Sequence, residues 1–521
     1  MKSYTGYVIK NTTFGFASKC INLILNFVSR TVFIYYFGAT FLGINGLYSN
    51  ILQVLSFAEL GFGTALQYAI YKPVANNDRP KIVQLLSIYK KIYRIIAVII
   101  SASGLAMMPF LQYIVNGAGS ENLTLFELRL YFAIFLTNTV VSYFVSYKNS
   151  YVYAKQKVYV VTTIDTLTNL ITMALQIVAI IAFKNYIAYL LVKTSLLLVS
   201  RVIIALYLNN KYPVLKEKEK EPLPKEEKRQ IYKDVKGLAV HQFSSVAIHA
   251  TDNIIISIIP SLGVLFVGLV NNYTLIITSV TSFLIILFDN MTPSFGNIAA
   301  KSSKKEFHTI FTQANFINFW MYGFSSIAFF ILLPPFITLW IGKNYLIDAG
   351  SFFLMILNVY LSGQSVLYNN IRKVSGSFNR DKWWSLAQAI INLVVSVICA
   401  KEFGLIGVYI GTIASRIFYL FGRPLNTYKY VFDVSVIKYY KDILIYFCAT
   451  LFSGIITYYI VKTIPFKETI GSFVFMCVIV AVVPNIVYML LFHRTKEFIN
   501  MLDRVKRLLR RVKRDERQTI S

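Results

Sequence analysis

The stretch IGSFVFMCVIVAVVPNIVYMLLF, residues 470–492, contains no charged side chain and is long enough to cross a membrane. About 20 apolar residues, rising 1.5 Å each as a helix, span the roughly 30 Å hydrocarbon core. Lipid offers a peptide group no partner, so such a run must satisfy its own backbone as an α-helix. Working back along the chain, similar runs recur at 14–37, 42–70, 92–115, 128–147, 158–183, 187–208, 237–259, 263–296, 309–333, 349–371, 383–400, 404–421 and 443–461. The expected fold class is all-α: a polytopic membrane protein of about fourteen transmembrane helices. Runs 42–70 and 263–296 are longer than a bilayer needs, which predicts tilt or a break in each. The first run carries Lys19 and Arg30 and lacks a small-residue cleavage site, so it is expected to remain as span 1.

The charges test this map. Of the 52 Lys and Arg, 41 fall in the segments that are cytoplasmic if both termini are inside, and six in the outer segments. That bias sets the expected orientation. It also accounts for most of the net charge of +28 without nucleic acid. The four cysteines are scattered through apolar runs and are expected to be small buried hydrophobes. No phosphate loop, nucleotide fingerprint or nucleophile motif is visible, so no cofactor is expected. An H+ or Na+ gradient, the membrane potential or consumption of product outside would have to supply energy.

The expected organisation is an N-terminal lobe (1–208, spans 1–6), a cytoplasmic linker (209–236), a C-terminal lobe (237–441, spans 7–12), two additional spans (442–492) and a basic amphipathic tail (493–521). The linker is rich in Lys and Glu with two prolines and reads as solvated. The lobes show a weak repeat: FLGINGLYSNIL (41–52) against SLGVLFVGLVNNYTLI (261–276), and PFLQYIVNG (109–117) against PFITLWIG (335–342). Duplicated halves with a binding site between them are a common transporter plan. In the tail, Phe498, Leu502, Val505, Leu509 and Val512 share one helical face among many Arg and Lys. That pattern predicts a helix lying on anionic lipid.

Polar stripes run along several spans. Lys19, Asn22, Asn26 and Arg30 share one face of span 1. Others carry Glu59 (span 2), Asp165 (span 5), His241, His249 and Asp252 (span 7), Asp289 (span 8) and Asn369 with Arg372 (span 10). Ser, Thr and Asn can serve as hydrogen-bonding glue between helices. A charge at mid-span costs roughly 2.5–3.5 kcal/mol on insertion scales and therefore faces a bundle interior or water. Lys193 and Arg201 could snorkel or face a cavity. The candidate ligand-binding set is Lys19, Asn26, Arg30, Glu59, Arg201, Asp252, Asp289, Arg372 and Arg416, with His249, Asp252 and Asp289 as ion-coupling candidates. A cavity with cations in it suits an anion, because Arg pairs with phosphate bidentately and Lys supplies a point charge.

The segments FGATFLGINGLYSNILQVLSFAELGFGTAL (37–66), ATDNIIIS (250–257), PSFGNIAA (293–300), GSFNRDKWWSLAQAIINLVVSV (376–397) and FGLIGVYIGTIASR (403–416) resemble the Wzx-type polysaccharide flippases. These are the repeat-unit exporters of the multidrug/oligosaccharidyl-lipid/polysaccharide (MOP) superfamily. The resemblance implies two pseudo-symmetric six-helix lobes plus two C-terminal helices, alternating access, and an undecaprenyl-diphosphate-linked oligosaccharide as cargo. It implies a bacterial inner-membrane location and a place in O-antigen, capsule or exopolysaccharide assembly, with a polymerase and glycan-assembly proteins as candidate partners. It also implies that cavity cations, Arg30 and then Lys19 here, hold the diphosphate. A lipid II flippase, a multidrug exporter binding cations near carboxylates, and a membrane glycosyltransferase or polymerase remain alternatives. The short outer loops, with few acidic residues, weigh against the last.

Overall fold

The computed structural model describes residues 2–59, 62–117, 123–219, 221–376, 378–464 and 468–503. The described residues are almost entirely helical, without a strand, and they divide into two compact units, 1–271 and 272–521. Twelve helices among them are long and apolar enough to cross a membrane, so this is a multi-pass membrane protein.

The first unit contains α1 (Lys2–Leu55), α2 (Phe62–Ala75), α3 (Arg79–Met107), α4 (Leu111–Ile114), α5 (Leu125–Ala154), α6 (Val158–Phe183), α7 (Tyr186–Lys211), α8 (Lys225–Ile258) and the start of α9 (Gly263–Asp289). Helix α1 is two helices joined at Gly38, whose φ of 72° and ψ of −170° only glycine adopts readily. The break falls between expected spans 1 and 2. Polar caps mark the helix ends. Asp78 accepts from the Lys81 N–H, Thr124 and Glu127 form a capping box, and Asn185 accepts from the N–H groups of Ile187 and Ala188. Helix α1 packs on α6 and α8, α3 on α5, and α7 on α5 and α6.

The second unit contains the rest of α9, then α10 (Thr292–Lys301), α11 (Lys304–Ile341), α12 (Ala349–Gln364), α13 (Val366–Ser375), α14 (Phe378–Phe403), α15 (Leu405–Thr427), α16 (Ile437–Lys462) and α17 (Ile470–Phe492). Its core is aromatic. Phe319 stacks on Tyr446 with ring centres 4.2 Å apart, and Tyr488 and Phe492 close round them, which ties α16 and α17 to α11. Helices α14 and α15 form the tightest hairpin. A Cβ on Gly407 would strike the Cys399 carbonyl, and one on Gly411 would strike the backbone of Ser396. Overpacking typically costs about 1–3 kcal/mol. Gly411→Leu is therefore expected to lower the thermal unfolding midpoint of the solubilised protein by several degrees. An unchanged midpoint would show that the hairpin has slack.

Of the tilt or break expected in each long run, it is a break that both show. The first is marked by a 3-10 turn, Ser56–Glu59, that follows α1, and the second lies at residues 290–291, between α9 and α10. The count of twelve differs from fourteen for two reasons. Expected spans 1 and 2 are joined in α1, and α8, with Gln242, His249, Asp252 and Asn253, is too polar to qualify. Segment 209–236 does not stand free in solvent. Val214, Leu215 and Leu223 are buried, Arg79 pairs with Glu217, Lys91 with Glu219 and Lys81 with Glu227, and α8 begins at Lys225. The cysteines are free. Cys448 is exposed and the other three half-buried, so none is the buried hydrophobe expected. Phe498 turns inward and stacks on Trp320 at 5.8 Å instead of facing lipid; the tail from residue 504 lies outside the described residues.

Candidate functional site

In the first unit the expected stripe on α1 is kept, but its members have different surroundings. Ser18 and Asn22 form a polar seam with α6: Ser18 Oγ lies 2.5 Å from Thr166 Oγ1, and Asn169 donates to Asn22 at 3.3 Å. That is the gluing role. Lys19 is half-buried and Asn26 exposed. Arg30 is half-buried beside Tyr189 of α7, and its Nη1 is buried with no hydrogen-bond partner among the described residues.

Helix α7 adds a second cation at this place. Tyr189 and Lys193 are one turn apart and share a face. Lys193 Nζ sits 5.7 Å from the centre of the Phe135 ring, ten residues into α5, so it does not reach back to the helix end as a snorkelling lysine would. No carboxylate pairs with Lys193 among the described residues. Between Arg30 and the break at Gly38, Phe33 and Phe37 pack edge-on against Tyr186 and Tyr189, at 5.1–6.4 Å. The result is a cationic step backed by an aromatic wall. The sequence signal for Lys193 was its position seven residues into an apolar helix, and it was left open to snorkelling. Lys19 lies eleven residues from Arg30, about 16 Å along the axis, so Lys193 is placed better than Lys19 to act with Arg30.

Two of the candidate carboxylates of this unit have partners of their own. Arg201, expected in the binding set, donates to Asp165 at 3.1 Å. Glu59 lies in a short 3-10 turn at the break after α1, hydrogen-bonded to Tyr143, whose ring stacks on Tyr93. Asp252 is half-buried on α8. The side chains of His241 and His249 lie outside the described residues.

In the second unit, Asp289 ends α9 and accepts from Lys373 at 2.9 Å. Arg416 is buried and donates to Asn358 at 3.3 Å, which binds α15 to α12. Arg372 is half-buried and close to Asp381 and Arg423. Those last two residues form a pair that was not anticipated. Arg423 Nε donates to Asp381 Oδ2 at 3.0 Å, Arg423 Nη1 donates to Asn369 at 2.7 Å, and Asn426 donates to Asp381 Oδ1 at 2.9 Å. Both side chains are at most 3% exposed. The sequence reading ended span 12 at 421 and placed Arg423 in a loop.

Two apolar hollows in this unit, of 490 and 450 Å³, share Leu357, Tyr360 and Phe447 and so form one groove between α12 and α16.

The fold is similar to that of solved transporters of the MOP superfamily. A multidrug resistance MATE family transporter of that superfamily, in an inward-facing conformation, matches with a TM-score of 0.60 and 16% identity, over 79% of this chain and 94% of its own. The lipid II flippase MurJ, in an inward closed conformation, matches with a TM-score of 0.65 and 14% identity, over 93% of this chain and 99% of its own. A MOP superfamily transporter from Pyrococcus furiosus Vc1 (DSM3638) matches with a TM-score of 0.53 and 12% identity, over 81% of this chain and 95% of its own. No family model and no curated relative matches the sequence. At these identities the likeness is one of fold. A match over 93% of the chain leaves out too few residues to omit both α16 and α17, whereas one over 79% need not include them.

Proposed function

We propose that this chain is a flippase that carries undecaprenyl-diphosphate-linked oligosaccharide repeat units from the cytoplasmic to the outer face of a bacterial inner membrane, by alternating access, for O-antigen, capsule or exopolysaccharide assembly. The observation that carries this reading is the pair of membrane-depth cations, Arg30 and Lys193, in a first unit where Asp165 is held by Arg201 and Glu59 by Tyr143. A carrier of organic cations would keep its carboxylates available. Here the balance of charge at depth is positive and favours an anion such as a diphosphate.

The groove between α12 and α16 supports a lipid-linked cargo, since its apolar lining suits a hydrocarbon tail but offers a glycan almost nothing. A lipid II flippase is the second reading. It is favoured by the extent of the fold match, which leaves out too few residues to omit both α16 and α17, and it would use the same diphosphate chemistry.

The deciding experiment is the sidedness of lipid-linked oligosaccharide in a strain lacking this chain and any redundant exporter. An impermeant glycan-modifying enzyme would be added to right-side-out cells. Protected, inward-facing repeat units and loss of surface polysaccharide are the expected result, and the accumulated lipid identifies the cargo. Normal outward exposure with an intact surface glycan would refute the flippase reading.

A further inference from the structure

A basic cavity in the first unit shares no lining residue with the Arg30 and Lys193 site and plays no part in the reading above. It has a volume of 630 Å³ and lies between α3, α5, the end of α7 and segment 214–219. Lys90, Lys91 and Arg94 of α3, Lys148 of α5, and Lys216 and Lys218 of the segment line it, against only Glu217 and Glu219. The two glutamates are already engaged, Glu217 by Arg79 and Glu219 by Lys91. Lys90, Arg94 and Lys148 have no carboxylate partner among the described residues.

Lys148 makes the site more than a basic surface. The residue is only 6% exposed, and its Nζ has the Ala205 carbonyl at 3.5 Å and the Tyr147 ring centre at 5.7 Å, neither of which supplies a counter-charge. Burying an ammonium without a counter-charge is costly. Lys90 stands near enough for the two like charges to act on each other, and Arg94 stands beside Tyr147 on the same wall. The like charges gathered in one cavity need a counter-anion. Asn209, also on the wall, has its Oδ1 buried without a described partner, so the lining is polar and incompletely satisfied.

From this geometry we infer that the cavity is a phosphate-binding site, formed by Lys90, Arg94 and Lys148 and partly filled by the carboxylates of Glu217 and Glu219. Three cations on two helices, spread over a cavity of this size, fit a diphosphate or a phosphodiester headgroup better than a carboxylate. Segment 214–219 is then an internal competitor. Its glutamates neutralise one rim of the site, and they lie in the chain that leads straight into α8. Occupation by a phosphate would displace them and loosen the hold of 214–219 on α3. The site requires nothing of Arg30 and stands whether or not the transported cargo is a lipid-linked glycan.

The test uses the full chain in phosphatidylcholine nanodiscs, with inorganic pyrophosphate as the probe and calorimetry as the readout, in wild type and in Arg30→Ala. Saturable binding is expected in both. Lys90→Gln combined with Arg94→Gln should weaken it at least tenfold. Glu217→Gln combined with Glu219→Gln, which removes the competing carboxylates, should strengthen it severalfold. The two double variants move affinity in opposite directions, so a general loss of folding cannot imitate the result.

Repeating the titration in discs containing phosphatidylglycerol separates the two sources of phosphate. Loss of pyrophosphate binding there assigns the site to a lipid headgroup; retained binding assigns it to a soluble phosphate. No saturable binding in zwitterionic discs, or binding that ignores both double variants, overturns the proposal.

Discussion

Asp381→Ala will destabilise the second unit by about 3–5 kcal/mol, because it leaves a buried guanidinium without its counter-charge. The side chains of Arg423 and Asp381 are 1% and 3% exposed, so water cannot replace the lost partner. Arg372 lies close by, and its positive charge adds to the cost once the carboxylate is gone. Asn369, which accepts from Arg423 Nη1, can satisfy part of the hydrogen bonding but none of the charge. Removing both charges at once should cost far less, since well-packed apolar residues of similar volume often replace a buried pair neutrally. The measurement is the thermal unfolding midpoint of the solubilised protein for Asp381→Ala and for the double variant Asp381→Leu, Arg423→Met. The single change should lower it clearly and the double change only slightly. Equal losses would mean that packing, not charge pairing, sets the contribution of this site.

That pair also shows where sequence reading stopped. Apolar runs locate a helix only while it is inside lipid. The charge-free run 470–492 gives both ends of α17, and 158–183 gives both ends of α6. Where a helix continues into water, or carries charge inside protein, the run ends early. Helix α8 therefore starts at Lys225 against an expected 237, and α15 reaches Thr427 against an expected 421.

The missing residues in α15 hid Arg423. Across the α14–α15 hairpin, Asn392 bonds to Thr412, Ser396 to Val408 and Arg423 to Asp381, and each pair is centred on position 402. Extending both expected runs, 383–400 backward and 404–421 forward, by one turn each places Asp381 opposite Arg423 from the register alone. Arg30 needed no such help, since an arginine eight residues before the Gly38 break stands out in any apolar run. Arg201 stands out equally, yet Asp165 holds it. Periodicity gives the face of a helix but not the partner across it, so the engaged arginine and the available one look alike in sequence.

The availability of Arg30 sets the second expected result, which rests on the proposed function. Arg30→Ala should reduce export of the lipid-linked glycan by about 10- to 100-fold, the equivalent of one charge-assisted hydrogen bond of roughly 1.5–3 kcal/mol. Arg30→Lys should retain an intermediate rate, because it keeps the charge and loses the bidentate fork. Stability should move the other way. Nη1 is buried without a described partner, and an uncompensated cation at membrane depth costs roughly 2.5–3.5 kcal/mol on insertion scales. Alanine removes that cost, so the unfolding midpoint should hold or rise while transport falls. Lys193→Ala should show the same opposition more weakly, since an ammonium offers a diphosphate only a point charge. A merely structural arginine gives the contrary pattern, with midpoint and export falling together. Measuring export against surface expression and unfolding in the same variants therefore separates a residue kept for its ligand from one kept for the fold. Parallel loss of both in Arg30→Ala would remove this residue from the diphosphate site.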